Sequence, residues 1–227
     1  MMTHHLLYNL HEQPFGKSWR QWAALWCTWM LSIPKRKNPS LDRTGKYCSL
    51  NQNDKNVWFL TGTFGNIGPI KRKCIIPARK AIFFPVLVKE DSFAEDSDLK
   101  MEADLIRRCE QAMNRLINIE AFIDEQKMEN LENYRVQSKV FDLIFPEENV
   151  YSVRPGSTRS VCDGYWLFVK PLEAGTHSIF FKGETLLEEP YTINQLKGNT
   201  VHSSIWKHLD NKQTFKLEVF YDLTIAN

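Results

Sequence analysis

The sequence lacks a hydrophobic run long enough to cross a membrane, and its amino terminus lacks the features of a signal peptide. A membrane-spanning helix needs about 20 consecutive apolar residues, and no segment of this chain approaches that length. The opening residues, MMTHHLLYNLHEQ, contain neither a basic segment nor an adequate apolar segment. We therefore expect a soluble protein without a transmembrane segment. A cytoplasmic location is favoured, although an exported protein whose signal had been replaced by an initiating Met would have the same sequence.

The sequence also has little excess charge of either sign. Its 29 basic and 27 acidic residues leave a net charge of +2. Because basic and acidic residues are nearly equal in number, the net charge does not predict duplex nucleic acid or an anionic membrane as a partner. The basic triplets at residues 35–37 and 71–73 are interpreted as solvated ends of loops rather than as a nucleic-acid site.

Motifs for metals and cofactors are missing as well. The five cysteines include no CxxC pair and no Cys/His spacing of a zinc site. Gly62, Gly65 and Gly68 match neither the dinucleotide-binding nor the phosphate-loop spacing, so a hairpin connection is the better interpretation of this segment. The sequence therefore predicts no cofactor and no metal.

Tryptophan, in contrast, is concentrated in one helical segment near the amino terminus. Apolar residues recur with a helical period over residues 18–33, where Ser18 is placed to cap the first turn. The indoles of Trp19, Trp22, Trp26 and Trp29 form one stripe at spacings of three and four residues. Because indole area stabilises a protein most when it is buried, we predict that this stripe packs on a sheet and does not face a membrane or a partner.

A second, amphipathic helix is predicted at residues 98–117. Its apolar positions keep a seven-residue rhythm through Leu99, Ile106 and Met113. The preceding residues 96–98 are acidic or hydroxyl-bearing, and they supply a cap and negative charge at the positive end of the helix dipole. This explanation is favoured over a calcium site.

The remaining chain consists of short apolar segments separated by turn residues, which is the pattern of β-strands. Strands are predicted at residues 57–60, 74–76, 81–88, 119–123, 134–136, 140–145, 165–169, 177–181, 191–193 and 215–225. We therefore expect a mainly β protein, a β-sandwich of jelly-roll or immunoglobulin-like type, rather than a parallel α/β sheet. No segment resembles a linker, so residues 1–227 are expected to form one domain with the second helix as an insertion.

Two stretches of the chain resemble a known family. VWFLTGTFG, RKC and KAIFFPV fall within residues 57–88, and DGYWLFVKPLEAGTHSIFFKG spans residues 163–183. Together with the tryptophan helix and its SIP and NP exit, they resemble an uncharacterised family of bacterial proteins, many of them secreted. The resemblance covers most of the chain and implies an intact domain without implying an activity. The second stretch also resembles the hairpin of immunoglobulin-like sandwiches, which bears on the fold alone.

The sequence offers no compact set of catalytic residues. Cys162 and His177 are the best candidates for a thiolate and its base. A hairpin turning at Glu173 would, however, hold them about 20 Å apart, so we predict that they are not a catalytic pair. An enzyme therefore remains the alternative rather than the favoured interpretation: a small hydrolase whose site is assembled around Asp163, His177 and Arg154.

Cys48 and Cys74 are the candidates for a disulfide. They bracket the strand at residues 57–60, and we predict that they face each other across neighbouring segments. In an exported protein they would be close enough to form a bridge, whereas in a reducing cytosol they would remain thiols. A bridge would favour export.

The favoured function is a non-catalytic module that binds a ligand or another protein. Patterns that build a core are clear, and no coherent catalytic set accompanies them. Aromatic side chains on a β-sandwich are typical of a carbohydrate-binding surface. The candidate ligand-binding residues are Tyr165, Trp166, His177 and Trp206. The expected partner is a carbohydrate or another protein, and the sequence does not determine the oligomeric state.

Overall fold

The computed structural model describes residues 6–64, 68–95, 99–187 and 214–226, and within these ranges the protein is mainly β with two α-helices. The helices are α1 (Trp19–Leu31) and α2 (Glu102–Met113). The strands are β1 (Val57–Phe59), β2 (Ile70–Pro77), β3 (Ala81–Ser92), β4 (Leu116–Ile123), β5 (Gln126–Lys127), β6 (Arg135–Gln137), β7 (Phe141–Phe145), β8 (Gly156–Val169), β9 (Gly175–Leu186) and β10 (Thr214–Ala226). No helix in the described ranges is long and apolar enough to cross a membrane.

The strands form two five-stranded sheets. Sheet A has the order β1-β3-β8-β6, and β7 pairs with another part of β8; sheet B has the order β2-β10-β9-β4-β5. Neighbours are antiparallel except for β1 with β3 and β2 with β10. The hairpin expected after residue 60 is wrong, because the chain leaves β1 in sheet A and enters β2 in sheet B.

Helix α1 covers one face of sheet A. Ser18 caps it through a reciprocal pair of hydrogen bonds with Gln21: the Gln21 N–H donates to the Ser18 hydroxyl at 3.4 Å, and the Ser18 N–H donates to the Gln21 side chain at 2.9 Å. Trp22, Trp26 and Trp29 are 0%, 2% and 6% exposed and belong to one core with side chains of β1, β3 and β8. The predicted burial of these indoles is confirmed.

Every indole of this stripe also has a backbone partner. The Nε1–H groups of the four tryptophans donate to carbonyl oxygens at 2.7 to 3.1 Å; the acceptors are Asn9 for Trp19, Pro14 for Trp22, Leu60 for Trp26 and Leu50 for Trp29. A buried indole without such a partner would be destabilising. The helix is therefore fixed to three separate loops as well as to the sheet.

Sheet A is the middle of three layers, with α1 on one face and sheet B on the other. The second core lies between the sheets, where Ile82, Phe84 and Leu167 of sheet A meet Phe181 and Leu223 of sheet B. Because both faces of sheet A are covered, β3 and β8 contain long runs of buried residues without alternation.

Sheet B has one covered face and one exposed face. The burial of β2 and β10 alternates residue by residue. Inward positions of β10 include Val219, Tyr221 and Leu223, whereas Phe220 and Thr224 point outward. Among the described elements, sheet B therefore provides the broad free face of the molecule.

The predicted bounds of the second helix are wrong at both ends. Helix α2 begins at Glu102, with the Met101 N–H donating to Asp104 Oδ2 at 3.4 Å, and ends at Met113. Leu116 and Ile117 belong instead to β4, which pairs with β9. The strand forms because Ile117 and Ile119 are β-branched and find a partner strand, which overrides the helical pattern. Residues 96–98, expected to cap this helix, lie outside the described residues.

Two further strand predictions need correction or remain open. The hairpin expected between residues 164–170 and 176–182 is wrong, because β8 belongs to sheet A and β9 to sheet B. Both strands are also much longer than the sequence indicated. The strand predicted at residues 191–193 lies outside the described residues.

Candidate ligand-binding face

Three phenylalanines form a row across the exposed face of sheet B. Phe122 lies on β4, Phe180 on β9 and Phe220 on β10, and the strand register places them directly opposite one another. The ring centroids of Phe180 and Phe220 are 4.4 Å apart, and those of Phe122 and Phe180 are 5.8 Å apart. Phe220 is 40% exposed and the other two are partly buried. These rings present a continuous apolar strip to solvent.

Ion pairs flank this strip on the same face. Their nitrogen–oxygen distances are close to 3 Å, and the pairs are Lys71 with Asp222, Lys182 with Glu120 and Lys216 with Glu184. Exposed pairs of this kind contribute little to stability. They do, however, place ammonium donors and carboxylate acceptors of hydrogen bonds beside the aromatic row.

An open groove of about 600 Å³ lies beside the row. It is lined on the sheet by Thr176, Asp222 and Thr224, and on the edge strand β2 by Lys73 and Ile75. Asp222 is two residues from Phe220 on the same face of β10, so the groove and the aromatic row are neighbours. Together the Phe122–Phe180–Phe220 row and this groove form what we call the open face.

The far wall of the groove is a loop that the sequence did not place. Gly45 has a φ of +90°, and its Cα lies so close to β2 that an added Cβ would be 2.0 Å from the Lys73 carbonyl oxygen. The Lys73 N–H donates to the Thr44 carbonyl at 2.9 Å. Glycine is required here by both the backbone conformation and the close approach.

A buried arginine holds this loop in place. The Arg72 side chain is on the inward face of β2, and the residue is 1% exposed. Its guanidinium donates at 2.7 to 3.2 Å to carbonyl oxygens of two segments and to one hydroxyl: the carbonyls of Ser40 and Asp42, those of Thr61 and Gly62, and the hydroxyl of Tyr221. All these donors are satisfied without a carboxylate bound to the guanidinium, and the arrangement fixes the edge of sheet B.

The two cysteines predicted to face each other both line this groove. Cys48 lies on the loop and Cys74 on β2, and the Cys48 Sγ is 3.9 Å from the carbonyl oxygen of Lys73, the neighbour of Cys74 in the strand. Both are free thiols in this structure. The reason given for their proximity is wrong, however, because β1 does not neighbour β2; the loop packed on the β2 edge brings them together.

The aromatic residues predicted to bind a ligand do not lie on this face. Trp166 is 0% exposed and Tyr165 is 6% exposed, and both belong to β8 of the middle layer. The Trp166 indole donates to the Val136 carbonyl at 3.0 Å. Neither ring presents a face to solvent, so these two side chains do not form an exposed platform. Trp206 lies outside the described residues.

His177 is placed at an end of sheet B with an acidic partner. Its Nδ1 is 2.6 Å from Asp124 Oδ2, and its Nε2 is 2.9 Å from the Glu173 carbonyl oxygen. Partial burial opposes protonation, but the hydrogen bonds to Asp124 and Glu173 outweigh it and raise the pKa of the imidazole. The imidazole therefore links the segment that contains Asp124 to the segment that contains Glu173.

The residues of the alternative hydrolase site have separate partners. Asp163 is buried on β8 and accepts two hydrogen bonds from Arg135, at 2.7 and 3.2 Å. His177 is on the other sheet with Asp124, and Arg154 is exposed between β7 and β8. The structure does not gather Asp163, His177 and Arg154 into one cleft.

Cys162 and His177 likewise belong to different surroundings. Cys162 is fully buried on β8 and belongs to the same core cluster as Cys27 of α1. His177 lies on sheet B with the partners described above. The predicted absence of a catalytic pair agrees with these positions, although the hairpin argument for it was wrong.

A buried acidic cluster at the end of β3 was missed by the sequence analysis. Glu90 is 5% exposed, and its carboxylate accepts a hydrogen bond from the Ser160 hydroxyl. Glu95 accepts one from Ser92 at 2.9 Å. Burial raises the pKa of Glu90 to about 6 and raises that of Glu95 well above its usual range. The sequence signal was the Lys-Glu-Asp triplet that ends the apolar run of β3.

Comparison with known proteins adds no relative. No protein-family model, no curated protein and no solved structure matches this chain. The resemblance to a bacterial family stays a prediction. Among the described residues, no group of three or more His, Cys, Asp or Glu side chains could hold a metal ion.

Proposed function

We propose that this protein is a non-catalytic carbohydrate-binding module built on a β-sandwich, and that the open face is its ligand site. The row of Phe122, Phe180 and Phe220 is the observation that supports this proposal most strongly. Whether the sandwich is of jelly-roll or immunoglobulin-like type stays a prediction.

Aromatic rings on a sheet face suit a sugar because the two surfaces are complementary. One face of a pyranose ring presents C–H groups, which pack on the electron-rich face of an aromatic ring. The sugar hydroxyls lie around the edge of the pyranose and need donors and acceptors there. Lys71 and Asp222 beside Phe220, and Lys182 and Glu120 beside Phe180, are positioned to provide them.

The shape of the open face favours a chain of sugars over a single one. The three rings run across three strands, and the groove lined by Thr176 and Thr224 continues beside them. Exposed apolar groups in such an arrangement mark binding surfaces. No catalytic step is part of this proposal.

The proposal is tested by binding to glycans. We expect the wild-type protein to bind at least one polysaccharide on a glycan array and to be retarded in a native gel containing that polysaccharide. F180A and F220A should each weaken binding about tenfold or more, since each removes a stacking ring at the centre of the site.

A matched control is available on the other sheet. Ile144 is 65% exposed on β7, so I144A removes exposed apolar area without touching the open face. This variant should bind as the wild type does. Absence of wild-type binding to every glycan on the array, or unchanged binding by F180A and F220A, would contradict the proposal.

A further inference from the structure

The thiols of Cys48 and Cys74 form an asymmetric pair at the wall of the groove. Cys48 is partly exposed on the loop, whereas Cys74 is 3% exposed on β2. Both line the groove, and the Cys48 Sγ lies 3.9 Å from the carbonyl oxygen of Lys73, the residue before Cys74. Cys48 is therefore the more accessible of the two thiols to a reagent in the groove.

The backbone holds the two sulfurs together on both sides. The Lys73 N–H, next to Cys74, donates to the Thr44 carbonyl at 2.9 Å, and the Cys48 N–H donates to the Gly45 carbonyl at 3.1 Å. Arg72 donates to the Asp42 carbonyl at 2.7 Å at the start of the loop. The loop is anchored on β2 before any covalent bond forms, so the two segments that carry the cysteines are already neighbours.

The pKa values of the two thiols shift in opposite directions. The hydrogen bond from the Cys74 thiol lowers the pKa of Cys48; burial opposes this, and the Ile75 backbone N–H adds to it. The hydrogen bond to Cys48, followed by burial, raises the pKa of Cys74. Cys48 is therefore the more acidic thiol of the pair and Cys74 the less acidic one.

We propose that Cys48 and Cys74 are a peroxide-sensitive redox switch, with Cys48 as the attacking thiol and Cys74 as the resolving thiol. The Cys48 thiolate attacks an oxygen of a hydroperoxide, the O–O bond breaks, and the alkoxide leaves and takes a proton from water. Cys48 is thereby oxidised to a sulfenic acid. The Cys74 sulfur then attacks the Cys48 sulfur, the S–O bond breaks, and hydroxide leaves with the Cys74 proton as water.

The product is a disulfide that a small dithiol reverses by thiol–disulfide exchange. The bridge joins the loop wall of the groove to the edge strand of sheet B. Oxidation therefore fixes the wall beside Asp222 and Thr224 and removes the free thiol from the groove. This switch does not depend on which ligand the open face binds.

The other three cysteines serve as internal controls. Cys27, Cys109 and Cys162 are each 0% exposed; Cys27 and Cys162 share one core cluster, and after burial the neighbouring Cys162 raises the pKa of Cys27. Cys27 and Cys162 are thus close to each other but are not accessible to a reagent in solvent. If proximity alone decided oxidation, both pairs would form bridges equally fast.

The first experiment measures reactivity in the reduced wild-type protein. Brief iodoacetamide labelling at neutral pH, followed by peptide mass spectrometry, should modify Cys48 at least tenfold faster than Cys109, Cys27 and Cys162. A Cys48 that reacts no faster than these buried thiols would overturn the proposed attacking role. This readout needs no variant.

The second experiment follows oxidation by hydrogen peroxide. The wild type should lose two of its five titratable thiols and yield a Cys48–Cys74 peptide in a non-reducing digest, which dithiothreitol reverses. C74S should accumulate a Cys48 sulfenic acid that dimedone labels, and C48S should form no bridge. The oxidised wild type should melt roughly 5–10 °C higher than the reduced protein, with no such shift in C48S.

Two results would refute the switch. One is a peroxide-treated wild type whose digest contains no Cys48–Cys74 peptide. The other is a Cys27–Cys162 bridge that forms as fast as the Cys48–Cys74 bridge in the folded protein, because groove access would then have no role.

Discussion

At the scale of single residues, Arg72 shows how one buried charge can organise several segments. Its guanidinium donates to four carbonyl oxygens and to the Tyr221 hydroxyl. Those carbonyls belong to the loop before β1 and to the segment after it. Removing the arginine would take a donor from each of them, and of the four only the Thr61 carbonyl has a second donor among the described residues, the Tyr221 hydroxyl at 2.8 Å.

We expect R72M to lower the free energy of unfolding by about 3 kcal/mol or more, because the lost hydrogen bonds outweigh the gain from burying an apolar side chain. R72K should recover little, since one ammonium cannot reach acceptors spread over the planar fork. Urea denaturation measures the effect. K73M, on the outward face of the same strand, is the control and should cost less than about 0.5 kcal/mol.

Glu90 makes stability depend on pH in the opposite direction from an ordinary paired carboxylate. Its pKa rises from 4.5 to about 6 on folding, chiefly through burial, while the Ser160 hydrogen bond and Lys89 oppose the shift and Asp91 adds to it. The folded protein therefore binds this proton more tightly than the unfolded chain. The contribution of protonated Glu90 to the free energy of unfolding is therefore fully present below pH 4.5 and is lost as the pH rises through 6.

E90Q should raise the free energy of unfolding at pH 7 by about 2 kcal/mol and make the decline between pH 4.5 and 6 shallower, with the remaining decline due to Glu95. Chemical denaturation across this range measures it. E129Q, which removes an exposed carboxylate, should keep the decline. A wild-type protein whose stability does not fall over this window would contradict the assignment to Glu90.

At the scale of elements, α1 combines a local cap with tertiary packing. Ser18 and Gln21 satisfy donors at the first turn, while the indoles bury the opposite stripe. We expect S18A to lower the free energy of unfolding by about 1 kcal/mol, since the exposed N–H groups lose their side-chain acceptor. Thermal or urea unfolding measures it. S157A, at an exposed position of β8, should be neutral, and equal losses in both variants would argue against the cap.

At the scale of the whole molecule, the layer order decides where a ligand has access. Helix α1 and sheet B cover sheet A on its two faces, so the aromatic residues of β3 and β8 are used for packing. Sheet B is covered on its inner face only, and its outward aromatics are left exposed. The predicted binding residues Tyr165 and Trp166 belong to the covered layer, whereas Phe122, Phe180 and Phe220 belong to the open one.

The sequence by itself determined features with a short-range physical cause. The helical period of the indoles and the Ser18 cap predicted α1, and turn residues between apolar segments predicted most strands of a mainly β protein. The proximity of Cys48 and Cys74 was also predicted, although from an incorrect strand order.

Only the tertiary structure decided features that depend on which strands become neighbours. Phe122 and Phe220 are far apart in the chain, and the register of β4 and β10 on β9 places them in one row. The same holds for the carbonyls around Arg72 and for Ser160 beside Glu90. An alternating strand reveals that one face is exposed, but whether the other face of the sheet meets solvent, a helix or a second sheet is set by packing over the whole chain.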